Sequence, residues 1–280
     1  MPQHRPVLVI IGAGSMGLAI ARRLGPSHHV LISDFSATTL SAAEDSLRST
    51  GHFFSSQKVD ITSKDSVESF AATAASLGTV QTVVVTAGVS NAANDAKLIY
   101  LTNLVGASLI VETFLPHMAP GGSLTIIASV AGHLKPPNAA LDDHFATAPV
   151  SELLNHSELD LAGDPGTAYS LSKRGCIVRA RYAAIAWGRQ GVRINTVSPG
   201  VVMTPMIGQV MQSAQGAGLQ GMIDAVPLGR IGTPDDIAGA VAFLAGPDAS
   251  YINGTDLVVD GGSRPTHRWR GVGAGPSASG

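Results

Sequence analysis

The sequence has little cysteine and little charge. Of its 280 residues only Cys176 is a cysteine, and Asp, Glu, Lys and Arg together make up 14%. A single cysteine cannot form an intrachain disulfide, which excludes a disulfide-stapled scaffold and fits a reducing compartment, so we expect a cytoplasmic protein. The net charge of −2 supplies no positive field for nucleic acid or an anionic membrane, and we expect neither as a partner.

Long apolar runs and metal-binding motifs are also missing. The uncharged segment 6–21 is similar to a signal peptide in composition, but three glycines interrupt it and Arg22 and Arg23 end it. The nine histidines include no His-x-His or His-Glu-x-x-His pair. Because metal sites need ligands at such spacings, we expect no metal.

The composition that is present favours a well-buried globular chain. Hydrophobic residues make up 45% of it, and the mean hydropathy of +0.24 excludes disorder. A mass of 28.6 kDa is near the upper limit of one α/β domain, with two small domains as the alternative. We predict one domain over residues 1–262 and a C-terminal tail, 263–280, that is mobile beyond Arg270.

Short β-branched runs alternate with longer Ala-rich stretches, a pattern typical of successive βαβ units. The runs are almost continuously apolar at their centres, as strands buried on both faces of a parallel sheet are. We therefore predict a doubly wound α/β Rossmann fold with a seven-stranded, mostly parallel sheet. The predicted strands are 7–11, 30–34, 53–60, 80–86, 123–128, 192–197 and 256–259.

Two regions depart from this alternation. Residues 91–115 predict a short entry turn and then a long helix that stops before Pro116. The block 133–166 is rich in Pro, Asn and Asp, carries six acids against the single base Lys135, and is interpreted as an insertion. Apolar residues at helical spacing predict a short amphipathic helix inside the insertion. They are Val150, Leu153, Leu154 and Leu161.

A glycine-rich loop, Gly-x-Gly-x-x-Gly, follows the first predicted strand and precedes a helical pattern. Glycines at this spacing allow a tight turn, close approach of a pyrophosphate and close helix packing, with the helix N-terminus facing the phosphates. Asp34 ends the second predicted strand, where a carboxylate accepts hydrogen bonds from ribose hydroxyls and repels a 2′-phosphate. We expect NAD rather than NADP, with Arg22 and Arg23 solvated rather than bound to a phosphate.

Tyr169 and Lys173 stand four residues apart in a second helical pattern, which places the phenol and the ammonium on one helix face. A positive charge beside a phenol favours the phenolate, as an acid/base catalyst requires. The spacing alone fits an exposed tyrosine beside a lysine equally well.

Further motifs follow one another in order along the chain. They are Asp60-Ile61, Thr86-Ala87-Gly88, Thr102-Asn103-Leu104-Val105-Gly106, Ser129-Val130-Ala131-Gly132, Pro199-Gly200-Val201-Val202-Met203-Thr204, the segment 229–238 and Asp260-Gly261-Gly262. Together with the glycine loop and the tyrosine–lysine pair, this order resembles the short-chain dehydrogenase/reductase family from Pro6 to Gly262.

The resemblance implies reversible hydride transfer between NAD(H) and a secondary alcohol or ketone, catalysed by a homo-oligomer; we expect a hydrophobic substrate, such as a steroid. It implies proton transfer by Tyr169, a hydrogen bond from Ser129 to the substrate oxygen, and ribose binding by Lys173. Asn103 would support a proton-relay water. The implied cofactor-binding residues are Gly12, Gly14, Ser15, Met16, Gly17, Asp34, Phe35, Asp60, Ile61, Ala87, Gly88, Tyr169, Lys173, Pro199, Gly200, Val202 and Thr204.

The chain departs from the family pattern in three places. The glycine loop is one residue shorter than the usual Gly-x-x-x-Gly-x-Gly, and Thr86 stands where the family usually has Asn. The insertion separates Ser129 from Tyr169. In having this insertion the chain is similar to the bacterial 3α-hydroxysteroid dehydrogenase/carbonyl reductase branch. It would either wall the substrate pocket or alter assembly. A non-catalytic nucleotide sensor or scaffold of the same fold is the alternative function. A sugar-nucleotide epimerase would need more chain after Gly200.

Overall fold

A computed structural model describes residues 5–136, 138–211 and 216–264. Its strands are β1 (Val7–Ile11), β2 (His29–Asp34), β3 (Phe54–Lys58), β4 (Val80–Val85), β5 (Met118–Ile127), β6 (Arg193–Pro199) and β7 (Asp256–Val259). They form one sheet in the order β3-β2-β1-β4-β5-β6-β7, and every neighbouring pair is parallel. The predicted doubly wound Rossmann fold is confirmed.

Helices cover both faces of this sheet. They are α1 (Ser15–Leu24), α2 (Ala37–Ser49), α3 (Lys64–Leu77), α4 (Ala96–Tyr100), α5 (Ala107–Phe114), α6 (Ala139–Thr147), α7 (Pro165–Arg189), α8 (Pro205–Met211), α9 (Gly216–Asp224) and α10 (Pro234–Ala245). Successive strand residues point to opposite faces, so β1 feeds two separate cores. Val7 and Val9 pack on the side of α3, α5 and α7, whereas Leu8 and Ile10 pack on the side of α1, α2 and α10.

Five of the seven strands differ from their predicted bounds, and the differences at β3 and β5 have a structural cause. The third was predicted over 53–60 but ends at Lys58, because Asp60 begins a turn in which its Oδ1 accepts from the Thr62 amide at 2.9 Å. The fifth was predicted over 123–128 but already begins at Met118. Its first half contains Gly121 at φ 84°. Because glycine is uncommon inside strands, the sequence did not predict this half as part of the strand.

The long helix predicted after residue 91 is interrupted. A one-turn 3₁₀ helix (Asn91–Ala93) precedes α4, and a π-helical turn (Leu101–Gly106) joins α4 to α5. The π turn contains Asn103, and such widened turns often occur at functional sites. The stretch Ala96–His117 is apolar enough to cross a membrane, but 67% of its most apolar window is buried, as in a core helix.

The helix of the insertion lies earlier than predicted. Instead of an amphipathic helix through 150–161, the structure places α6 at Ala139–Thr147, and Val150–Glu152 form only a 3₁₀ turn. The Asn138 side chain caps the α6 N-terminus by accepting from the Leu141 amide at 3.2 Å. Asp142, Asp143 and His144 stand between the buried Leu141 and Phe145. These polar residues obscured the helical spacing of the apolar ones in the sequence. The tail predicted to be mobile beyond Arg270 lies outside the described residues.

Candidate active site

The glycine loop brings three chain segments closer together than side chains would allow. A Cβ on Gly12, whose φ is 107°, would lie 2.6 Å from Thr86 Oγ1, and a Cβ on Gly17 would overlap the Gly12 carbonyl oxygen. A Cβ on Gly14 would meet no atom within 4 Å. Gly12 and Gly17 therefore serve packing, whereas Gly14 borders open space at the N-terminus of α1.

The N-terminus of α1 is free to bind an anion. Its N-cap, Gly14, supplies no side-chain hydrogen bond, and the first amide to bond back is Leu18, to Gly14 O at 2.9 Å. In such a helix the amides of Ser15, Met16 and Gly17 point out of the helix end and carry its positive dipole. This open, donor-rich end fits a cofactor pyrophosphate.

Asp34 holds the glycine loop in addition to lying at the predicted ribose position. Its Oδ2 accepts from the Ala13 amide and its Oδ1 from the Ser36 amide, both at 2.8 Å. A carboxylate has about four acceptor positions, so two remain for the hydroxyls of a ribose. No sequence motif predicts this second role, because it depends on the geometry of the folded loop.

Three of the predicted cofactor-binding residues, Phe35, Asp60 and Ile61, lie just beyond the ends of β2 and β3. Phe35 is 65% exposed, and Lys58 Nζ lies 5.4 Å from its ring centroid. Ile61 is buried against Gly106, and Asp60 faces Thr62. Arg22 and Arg23 are exposed as predicted, and Arg22 donates to Ser46 Oγ.

Thr86, directly after β4, forms a hydrogen bond with the glycine loop. Its Oγ1 donates to Gly12 O at 2.8 Å, and the Ala87 amide bonds to Ile11 O at 2.7 Å. The threonine thus makes a side-chain bond to the glycine loop. After Ala87, Gly88 approaches two of the predicted catalytic residues: a Cβ there would lie 2.9 Å from Asn103 Oδ1 and 3.5 Å from Lys173 Nζ.

Tyr169 and Lys173 lie on one face of α7, as their spacing predicts. Lys173 is buried, its Nζ is 5.8 Å from the Tyr169 ring centroid, and it donates to Ile127 O at 2.9 Å. Ile127 is the last residue of β5 and stands two residues before Ser129. The lysine therefore ties the tyrosine helix to the strand that leads into the predicted catalytic serine.

Asn103 is buried and linked to the same helix. Its Oδ1 accepts from the Val89 amide and its Nδ2 donates to Val89 O, both at 2.8 Å, and Nδ2 also lies 3.3 Å from Ser172 Oγ. The Cys176 thiol donates to Asn103 O at 2.9 Å, and burial raises the pKa of that thiol. Cys176 is therefore a neutral buried contact, and the sequence contained no signal for this bond or for Ser172.

Ser129 begins the segment that follows β5. Its Oγ accepts from the Ala131 amide at 3.1 Å and caps a 3₁₀ turn, Val130–His133. Because the bond to Ala131 uses an acceptor position, the hydroxyl proton remains available for a substrate oxygen. Together with Asn103, Tyr169 and Lys173, the serine occupies the carboxyl edge of the sheet, where ligands bind in such folds.

The segment after β6 completes this edge. Pro199 ends β6, and the Gly200 amide donates to Val259 O at 3.0 Å. A Cβ on Gly200 would lie 2.9 Å from the Asp260 Cα, so this crossing also requires glycine. Val202 forms a bridge with Gly232, and Thr204 Oγ1 accepts from the Ile207 amide at 3.4 Å. The predicted cofactor-binding residues after β6 thus begin at the same edge as the four predicted catalytic residues.

The insertion packs on the outer side of α4 and α7. Phe145 and Leu141 are buried against these helices together with Tyr100, whose pKa burial and then Asp160 raise to about 12. Arg179 of α7 donates to Ala148 O at 2.5 Å, beyond the end of α6, and to Glu112 Oε1 at 2.7 Å. The insertion is therefore part of the hydrophobic core.

Arg174 adds a second link between α7 and the insertion. Its guanidinium pairs with both carboxylate oxygens of Asp142, with Nε 2.5 Å from Oδ1. On the α7 helical wheel Arg174 lies about 100° from Lys173. Tyr169 packs against the core cluster that contains Leu141 and Phe145, so the insertion also contacts the helix face that carries the predicted tyrosine. In the described parts of the chain, no three His, Cys, Asp or Glu side chains form a potential metal site.

Two family models match the chain. One described as short chain dehydrogenase matches residues 6–141, and one described as enoyl-(acyl carrier protein) reductase matches residues 153–264. The two matches stop on either side of 142–152, inside the insertion.

Individual relatives agree with these matches. A short-chain dehydrogenase/reductase, bsc3, of Alternaria brassicicola is 37% identical over 91% of this chain and 94% of its own. A 3-alpha-hydroxysteroid dehydrogenase/carbonyl reductase of Comamonas testosteroni is 35% identical over 59% of this chain and 66% of its own. The solved structure of a 7 alpha-hydroxysteroid dehydrogenase complexed with NADH and 7-oxo glycochenodeoxycholic acid aligns with a TM-score of 0.74 at 25% identity, covering 92% of this chain and 93% of that one.

Proposed function

Because the chain belongs to the short-chain dehydrogenase/reductase family of oxidoreductases, which use a nicotinamide cofactor, we propose that it transfers a hydride reversibly between NAD(H) and a secondary alcohol or ketone. The observation that carries the proposal is the link between four predicted active-site residues at one edge of the sheet. Lys173 bonds to the end of the strand leading to Ser129, Asn103 bonds to Ser172 beside Lys173, and Tyr169 shares the lysine's helix face.

The residues present fit a dinucleotide. Gly14 borders open space, α1 has no side-chain cap at its N-terminus, and Asp34 keeps two acceptor positions. When bound, NAD(H) supplies the hydride chemistry, and the protein supplies orientation and acid/base groups. The negative charge of Asp34 favours NAD over NADP, because a 2′-phosphate there would meet a carboxylate.

The acid/base steps follow from the chain's own groups. Tyr169 takes the hydroxyl proton when the alcohol is oxidised and returns it when the ketone is reduced. Ser129 donates a hydrogen bond to the same substrate oxygen, using the proton that its bond to Ala131 leaves available. The ammonium of Lys173 stabilises a phenolate on the same helix face and binds the nicotinamide ribose.

We expect a hydrophobic substrate. Large apolar side chains are exposed on segments that leave the carboxyl edge, Leu134 after β5 and Met222 and Leu228 after β6. Exposed apolar surface beside a catalytic edge supports binding of an apolar ligand body. Rising kcat/KM along a series of ketones with longer apolar chains would support this assignment, and a flat series would contradict it.

The anchoring of the insertion in the core supports a fixed element, which would either wall the substrate pocket or alter assembly. Deleting residues 137–162 would remove Phe145 from the core shared with Tyr100, so we expect the deletion to unfold the chain rather than change only its substrate range.

We also propose that the protein forms a homo-oligomer. The mass of the purified protein in solution tests this proposal.

Substitution of Tyr169 tests the proposed function. We expect Tyr169→Phe to retain NADH binding and to lose turnover by a factor of at least about 100, because the acid/base group is gone. Tyr182→Phe is the matched control, since Tyr182 lies on the same helix and is half exposed. Near-normal turnover in Tyr169→Phe would refute the assignment, whereas NADH binding without any turnover by the wild type favours the nucleotide-sensing alternative.

A further inference from the structure

A buried group of polar side chains lies between the turn after Ser129 and the last two strands. His133 Nε2 is 2.7 Å from Asp256 Oδ2, and Asp256 Oδ1 accepts from Thr196 Oγ1 at 2.6 Å and Ser198 Oγ at 2.8 Å. The two side chains of the histidine–aspartate pair are 16% and 4% exposed, and both hydroxyl residues are fully buried. A carboxylate so deeply buried needs all these donors, because an unpaired buried charge is strongly destabilising.

The pair connects the catalytic serine's turn to the sheet. His133 is the last residue of the 3₁₀ turn that Ser129 caps. On its other side the same turn lies against α7, since a Cβ on Gly132 would be 2.9 Å from the Arg174 amide nitrogen. The turn is therefore held between α7, which carries Tyr169, and the first residue of β7.

The held turn contains the hydrogen-bond partner of the Ser129 hydroxyl. The orientation of the serine depends on its bond from the Ala131 amide, which belongs to the held turn. Without the bond between His133 and Asp256, the turn keeps its contact with α7 but loses its side-chain bond to β7. Small displacements of a group that orients the substrate lower the reaction rate strongly, because the reacting atoms must stay close to one geometry.

We propose that His133 is a positioning residue: its bond to Asp256 holds the turn that aims the Ser129 hydroxyl at the substrate oxygen. The inference deepens the proposed function and rests on it. None of the family motifs includes His133 or Asp256, which lie far apart in the sequence and meet only across the fold.

The first test compares turnover in two variants of His133. We expect His133→Leu to lower kcat about tenfold while the affinity for NADH changes less than about twofold, because the loss concerns orientation at the reacting end. His133→Gln, which keeps a donor at a similar position, should recover most of the loss. His29→Leu is the matched control: this buried histidine bonds Ser55 Oγ at 2.9 Å near the opposite edge of the sheet.

The second test removes the serine. In a Ser129→Ala background, His133→Leu should cost no further turnover, because the effect passes through the hydroxyl that is already absent. An equal loss with and without Ser129, or wild-type kcat in His133→Leu, would overturn the proposal.

The third readout does not depend on finding a substrate. Amide hydrogen exchange of residues 129–134 in the cofactor-free protein should increase in His133→Leu and stay unchanged in His29→Leu. Unchanged exchange in His133→Leu overturns the proposal. Faster exchange supports it even if the wild type shows no turnover, a result that would count against the proposed function alone.

Discussion

The glycine loop and the insertion each follow a strand of the same parallel sheet, but different atoms hold them in place. The loop depends on backbone contacts that only glycine permits, such as the approach of Gly17 to the Gly12 carbonyl. The insertion depends on side chains that reach distant helices, such as Arg179 and Arg174 of α7. Contacts between backbones restrict the residue type and leave a local motif, whereas contacts between remote side chains leave none.

Substitution of Gly17 should have the largest effect. We expect Gly17→Ala to lower the free energy of unfolding by about 3 kcal/mol and to abolish NADH binding, because the added Cβ overlaps the Gly12 carbonyl. Gly14→Ala is the control, since its Cβ meets no atom within 4 Å. Gly14→Ala should change stability by less than about 1 kcal/mol and weaken NADH binding. Denaturant unfolding and calorimetry measure both, and wild-type stability in Gly17→Ala would contradict the packing role.

Loss of Arg179 should loosen the insertion without affecting the cofactor site. Arg179→Met leaves the Ala148 carbonyl and the Glu112 carboxylate without their donor, at a cost of about 2 kcal/mol in unfolding free energy. Amide exchange should rise in α6, and NADH affinity should not change. Arg189→Met, at the exposed end of the same helix, is the control. A fall in NADH affinity as large as that in Gly14→Ala would show that the two regions are not independent.

The pair of Arg174 and Asp142 should contribute less. Both side chains are partly exposed, so a double-mutant cycle with Arg174→Gln and Asp142→Asn should give a coupling of about 1 kcal/mol in unfolding free energy. Salt should reduce this coupling, because solvent ions screen partly exposed charges. A coupling indistinguishable from zero would leave apolar packing and Arg179 as the anchors of the insertion.

Asp236 should give the smallest effect, and one that depends on pH. Hydrogen bonds from Arg230 and then from the Thr233 amide hold the pKa of this carboxyl well below its ordinary value of 3.8. A lowered folded-state pKa means that the stabilisation is complete well above pH 3.8 and is lost as pH falls below it. The stability difference between wild type and Asp236→Asn should therefore shrink in acid. A difference that stays constant from pH 6 down to about pH 3 would contradict this reading.

Much of the fold was predictable from sequence because it is encoded locally, and the glycine loop of the predicted cofactor site is encoded in the same way. Apolar runs predicted the strands, and the glycine spacing predicted the close packing of the α1 N-terminus against the loop after β1. The π turn around Asn103 was not predictable, because its composition is that of an ordinary helix. The position of α6 was also missed, since Leu141 and Phe145 are buried by α4 and α7 rather than by neighbours in sequence.

The second role of Asp34 shows the same limit inside the site. Its position at the end of β2 predicted a ribose contact, but its bond to the Ala13 amide arises from the folded loop. The bond between His133 and Asp256 likewise joins residues whose separation in sequence hides their contact.

Calorimetric titration of NADH and NADPH into the wild type and Asp34→Asn tests the central claim most directly. The asparagine keeps an oxygen that can accept from the Ala13 or the Ser36 amide while removing the negative charge. We predict that the wild type binds NADH at least about tenfold tighter than NADPH, a difference of about 1.4 kcal/mol, and that the gap narrows in Asp34→Asn. Equal or tighter binding of NADPH by the wild type would contradict the choice of NAD. Binding of neither cofactor would contradict the dehydrogenase site itself.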